Sequence, residues 1–147
     1  MMYPEVRLRR LRQNQRMRDL VCETRLHPDE LVLPMFFDAN IESTKYTDSM
    51  PGIPTHPLKG YDAIASGIQE SGVNSVLVFG VPDHKDARGT GAYEEHGVVQ
   101  KAIEGLKENS DMLVIADLCL CEYTDHGHCG ILDACGSVVN DETIELY

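Results

Sequence analysis

The 147-residue sequence predicts an α/β fold, on three observations. Short apolar runs recur three times, amphipathic segments with helical spacing separate them, and glycine or proline marks most of the junctions. Buried strands that alternate with helices pair in parallel, because each crossover helix packs on the sheet while returning the chain to the starting end of the next strand.

The chain begins with a basic segment. Residues 7–18 hold six arginines, Arg7, Arg9, Arg10, Arg12, Arg16 and Arg18, and no acid. That segment carries +6 and the remainder −17 within a net charge of −11. A basic arm over residues 1–30 thus precedes an acidic body over 31–147. Docking on the acidic surface of a neighbouring copy suits the arm better than anion binding or targeting, and a targeting peptide is disfavoured by the lack of serine. Residues 17–23 suit a short helical turn. Cys22 lies there and reads as a small packing residue, since nothing near it in sequence lowers its pKa.

Residues 31–37 form the first apolar run, expected as a strand buried on both faces, although Pro34 argues against it. Residues 38–57 contain Pro51, Gly52, Pro54 and Pro57 and read as one long loop. Over 59–71, Ile64, Ala65 and Ile68 share a helical face, and Gly72 supplies the stop. Residues 73–81 make the second strand, ended by Pro82. After a polar stretch over 83–91, Val99, Ala102, Ile103 and Leu106 mark one face of a second helix that runs to about residue 108. Residues 112–118 are the third strand, with Asp117 at its carboxyl end. Residues 140–147 read as a capped helix start with acids in its first turn. No stop signal follows, so the sequence is expected to continue in a longer parent.

An open doubly wound sheet and part of a (β/α)8 barrel both satisfy this order, and in both the working residues gather at the carboxyl ends of the strands. There the chain concentrates its chemistry. Cys119 and Cys121 form a C-x-C pair, and Cys129 follows after seven residues, long enough for a loop to return the third sulfur to the same ion. Thiolates at this density suit zinc. By spacing alone, a closed site with His126, His128 or Cys135 as fourth ligand and an open three-ligand site are equally acceptable.

The totals exclude other classes. A net charge of −11 argues against nucleic acid as a partner of the folded body. No run approaches the roughly 18 apolar residues of a membrane span, so a soluble cytosolic protein is expected. Five cysteines, three of them in one loop, fit reduced thiols better than a disulfide framework. A thiol redox role is poorly supported, since C-x-C lacks the spacing of that chemistry.

The segment Asp117-x-Cys119-x-Cys121-x-Tyr123-Thr124-x-His126-Gly127-His128-Cys129-Gly130 resembles the zinc signature of the porphobilinogen synthases, also called 5-aminolevulinate dehydratases. The arginine-rich arm, Leu33-Pro34-Met35-Phe36, Met50-Pro51-Gly52-Ile53 and Phe79-Gly80-Val81-Pro82-Asp83-His84-Lys85 resemble the same family, in the same order. The resemblance implies part of a (β/α)8 barrel with an extended N-terminal arm. It also implies zinc-assisted condensation of two 5-aminolevulinate molecules to porphobilinogen in haem biosynthesis. It implies Cys119, Cys121 and Cys129 as ligands of an open zinc site, with the histidines shaping the loop and Asp117 as an active-site carboxylate beside the metal. A homo-oligomer, commonly an octamer, in which the arm wraps a neighbouring barrel is implied as well. Some members build a magnesium-linked allosteric contact where Arg9–Arg12 lie, which the arginine register alone does not assign.

Family members also use two Schiff-base lysines on later strands. The five lysines here, Lys45, Lys59, Lys85, Lys101 and Lys107, fall at none of the carboxyl strand ends, and only Lys85 lies in a loop near the cysteines. Three strands of eight, against about 250 residues for a whole barrel, predict an incomplete portion that is inactive alone. The competing expectation is a non-catalytic zinc-binding truncated homologue that assembles with full-length subunits.

Overall fold

A computed structural model describes residues 2, 4–6 and 8–147; Arg7 of the basic segment lies outside them. Five strands form one sheet: β1 (Val32–Asp38), β2 (Lys45–Tyr46), β3 (Pro54–His56), β4 (Ser75–Val81) and β5 (Leu113–Ala116). Their order is β2-β3-β1-β4-β5, parallel throughout except for the β2–β3 pair. The helices are α1 (Gln15–Leu20), α2 (Tyr61–Glu70), α3 (Val98–Asn109) and α4 (Asn140–Ile144).

The three expected strands and two main helices are present in the expected order. Gly72 ends the α2 connection in the left-handed region at φ +83°, where a side chain would be strained. Asn140 starts α4 instead of capping it: Val139 holds the cap position in extended backbone, and Asp141 and Glu142 occupy the first turn.

Three expectations need correction. The segment 38–57 is not one loop, because β2 and β3 lie within it and β3 extends the parallel sheet beside β1 through Phe36↔Thr55 and Phe37↔His56. Pro54 is tolerated as the first residue of a short strand, a position open to proline. Pro34 is likewise tolerated inside β1, because there β1 pairs only with β4 and its other side has no strand partner.

Nor is the sheet buried on both faces. Leu33, Met35, Phe37, Val76, Val78 and Val114 face α2 and α3 together with Ala65, Ile68, Val99, Ala102 and Leu106. Phe36 and Phe79 stack at 5.1 Å on the opposite face, which leaves Leu113 61% and Ile115 38% exposed. An apolar run has no way of saying whether both its faces are covered within the same chain. Cys22, expected to pack, is exposed, and its thiol donates to the Thr24 carbonyl at 2.7 Å.

The buried face carries the stability, at about 1.5–3 kcal/mol for each large apolar side chain removed from water. Leu106→Ala, at a fully buried position, is expected to cost about 2–5 kcal/mol in denaturant unfolding. Leu113→Thr, on the exposed face, is expected to cost no more than about 0.5 kcal/mol. Equal losses for the two would show that the second face is covered in solution.

Candidate metal centre

Strand β5 sets the origin of the site. Its ladder with β4 ends at Val78↔Ala116, and the Asp117 N–H makes one further bond to the Val78 carbonyl at 3.3 Å. The chain then leaves the sheet at its carboxyl end and enters the cysteine loop.

Three buried side chains, Leu120, Tyr123 and Thr124, anchor that loop. The Leu120 carbonyl accepts from the N–H groups of both Tyr123 and Thr124 at 2.9 Å, which folds the segment between Cys121 and His126 into a turn. The Thr124 hydroxyl donates to the His128 carbonyl at 2.8 Å and draws the far limb inward. A parallel bridge between Asp86 and Thr124 ties the turn to the β4–α3 connection. There the Asp86 carboxylate accepts from the N–H groups of Arg88 and Thr90 and from the Thr90 hydroxyl, which holds its pKa below the usual carboxylate range.

Two more contacts set the return of the chain. A Cβ on Gly130 would stand 2.7 Å from Val138 and 2.8 Å from the Thr143 hydroxyl, so only glycine fits under α4. The Tyr147 hydroxyl accepts from the Leu120 N–H at 3.2 Å and donates to the Cys129 carbonyl at 3.4 Å, bridging the two limbs.

The result is a cluster of three thiols. The sulfur atoms of Cys119, Cys121 and Cys129 all lie within 4.8 Å of one another, with Cys119 at 3.2 Å from Cys121 and 3.3 Å from Cys129. Burial works against charge on Cys119, yet the Cys121 N–H and the two neighbouring thiols bond to its sulfur and hold its pKa below the ordinary thiol value. Cys121 is pushed up to about 12, first by its bond to Cys119 and then by burial. The Cys119 contact likewise raises Cys129. The three thiols therefore oppose one another's ionisation, and a divalent ion would offset that by stabilising every coordinated thiolate.

The donor set fits a metal ion. Sulfurs about 2.3 Å from a tetrahedral zinc stand roughly 3.8 Å apart, inside the 4.8 Å spread of this cluster. The other sequence candidates lie outside it. Among the described residues the cluster contains three donors, and neither histidine nor Cys135 is one of them. His126 accepts the His128 N–H at Nδ1 and has its Nε2 at 3.3 Å from the Ala87 carbonyl, so it shapes the loop. Cys135 is exposed in a separate turn, where its N–H bonds to the Asp133 carboxylate at 2.8 Å. Asp117 and Cys119 line one cavity of about 200 Å3 with Tyr93, Gln100 and Tyr123. All five lysines are exposed, with Lys59 paired to Glu42 and Lys107 reaching the Met112 carbonyl.

Sequence reasoning missed Glu122 and Tyr147 and gave no role to Gly80. Gly80, Tyr123 and Thr124 left a trace only as letters of the family blocks. Contacts between residues 42 positions apart, such as Gly80 with Glu122, leave no periodicity to find.

Comparison with known proteins bears on the family directly. A sequence model described as delta-aminolevulinic acid dehydratase matches residues 5–147. The delta-aminolevulinic acid dehydratase of Bacillus subtilis (strain 168) is 47% identical over 95% of this chain and 43% of its own length. That of Methanothermobacter thermautotrophicus is 43% identical over 99% of this chain and 45% of its own. The crystal structure of the Toxoplasma gondii ME49 enzyme, titled as a complex with the reaction product porphobilinogen, superposes with a TM-score of 0.85 at 30% identity. It is matched over 95% of this chain and 41% of its own, so the chain spans less than half the length of these relatives. The expected α/β class, with parallel strands forming part of a (β/α)8 barrel, stands on that superposition. Sequence match, relatives and fold agree: this chain belongs to the delta-aminolevulinic acid dehydratase family.

Proposed function

We propose that these 147 residues are the metal-bearing portion of a porphobilinogen synthase, the cytosolic enzyme that condenses two 5-aminolevulinate molecules with loss of water in haem and tetrapyrrole synthesis. One observation carries the proposal: in a chain of this family, three cysteine sulfurs converge within 4.8 Å just beyond the carboxyl end of β5. That is the end of a barrel where catalytic groups gather.

Cys119, Cys121 and Cys129 would hold the ion, and three thiolate donors suit zinc. Zinc held by three protein groups keeps a fourth position at which a carbonyl is polarised or a water activated. Asp117, first residue beyond β5 and beside Cys119 in the same cavity, would orient a substrate ammonium or accept a proton from it. Tyr147 and Thr124 keep the two limbs of the loop together, so the ligands are in place before the ion arrives.

The covalent half of the chemistry needs lysines that attack a substrate carbonyl and release water as the imine forms. None of Lys45, Lys59, Lys85, Lys101 and Lys107 lies at the carboxyl end of a parallel strand. Lys85 comes nearest, in the connection after β4, where its charge acts on the Glu122 carboxylate, so the imine-forming lysines are assigned to chain outside these 147 residues. The exposed Leu8, Leu11 and Leu20 of the basic segment 1–30 support the arm as a contact between copies, joined to the partial barrel of 31–147. Among the described residues no helix is long and apolar enough to cross a membrane.

Under reducing conditions the purified chain is expected to bind one Zn2+, and Co2+ in its place should give thiolate-to-metal charge-transfer absorption. Replacing Cys119, Cys121 or Cys129 with serine should weaken binding beyond the roughly 10–100-fold typical of losing a supporting group. Cys135→Ser and His128→Ala should leave affinity unchanged; loss of metal in either would establish a closed four-ligand site. Supplied with zinc and 5-aminolevulinate, the 147-residue chain is expected to form no porphobilinogen, and colorimetric detection of product would overturn the division of the catalytic groups.

A further inference from the structure

Beyond Val78 the edge of β4 has no strand beside it on the β5 side, because β5 ends at Ala116. Gly80 is the next residue whose N–H points that way, and it is buried. A glutamate carboxylate takes the vacant place: Glu122 Oε2 accepts the Gly80 N–H at 3.1 Å. A second contact confirms that the loop is seated there. A Cβ on Gly80 would lie 3.0 Å from the Tyr123 hydroxyl and 2.4 Å from Val98, so Gly80 lets Tyr123 and α3 approach the strand closely. Glu122 and Tyr123 thus grip one residue of β4 from two directions, immediately after Cys121.

We propose that Glu122 is the positioning residue of the metal loop. Its carboxylate replaces the missing β5 carbonyl, continues the β4 ladder by one bond, and so holds Cys121 and Cys119 at a set height above the sheet while Cys129 is brought in from the other limb. The assignment rests on the metal site proposed above but concerns only the hydrogen bond from Gly80, for which a neutral side-chain carbonyl serves as well as a carboxylate. Removing the acceptor leaves a buried N–H unpaired and frees the loop at its point of attachment.

Glu122→Ala and Glu122→Gln in the 147-residue chain, each checked for an unchanged far-ultraviolet spectrum, separate the possibilities. Co2+ titration is expected to show about a tenfold or greater loss of affinity in Glu122→Ala, with weakened charge-transfer absorption. Glu122→Gln, which keeps an acceptor for Gly80, should restore both. Capture of the thiols by phenylarsine oxide reads their spacing without the metal and should follow the same order. Wild-type behaviour of Glu122→Ala in both assays would overturn the assignment, and so would equal losses in the two variants. A wild-type chain that fails to bind Co2+ but shows the arsenical order would overturn the metal site and leave the positioning role standing.

Discussion

The ladder between β4 and β5 holds for four residue pairs and then stops, and the position of the cysteines depends on that stop. Up to Ala116 the backbone is held by a neighbouring strand, with Val76 and Val78 of β4 buried beneath the helices. Beyond it, side chains do the holding: the buried trio of Leu120, Tyr123 and Thr124, with hydrogen bonds from the Thr124 and Tyr147 hydroxyls. A loop secured in this way keeps its three sulfurs partly or fully exposed while its turn backbone is hydrogen-bonded at Leu120, Tyr123 and Thr124. That combination is what a metal centre open to a substrate requires.

Electrostatics and geometry act together in the cluster. Three thiols at sulfur contact distance share charge unevenly, with Cys119 favoured as thiolate and Cys121 driven up to about 12. A divalent cation stabilises each thiolate it coordinates, which offsets the hydrogen bonds to Cys119 and the burial that hold the Cys121 thiol up. The same loop leaves Asp117 lining the cavity that Cys119 borders, while its carboxylate stays outside the sulfur cluster.

The two faces of the sheet tell different stories. Helices α2 and α3 cover one with a continuous core that includes Phe37, Val78, Ala102 and Leu106. The other is apolar yet open, with Phe36 stacked on Phe79 and Leu113 and Ile115 facing outward. Relatives more than twice as long contain the further chain that a closed barrel requires.

Much of this was written in the local sequence. The alternation of apolar runs with Ile64-Ala65-Ile68 and Val99-Ala102-Leu106 specifies strand, helix, strand, helix, strand, because each element buries one stripe at its own period. Cys119, Cys121 and Cys129 are legible because a loop of ten residues brings sulfurs together with no help from distant chain. The structure alone settled the contacts that cross the sequence. These are β3 beside β1, Glu122 on Gly80, and Gly130 under Thr143, together with the exclusion of His126, His128 and Cys135 from the cluster. Such choices depend on which distant backbone group is left without a partner when the elements pack, and that quantity does not exist until the chain is folded.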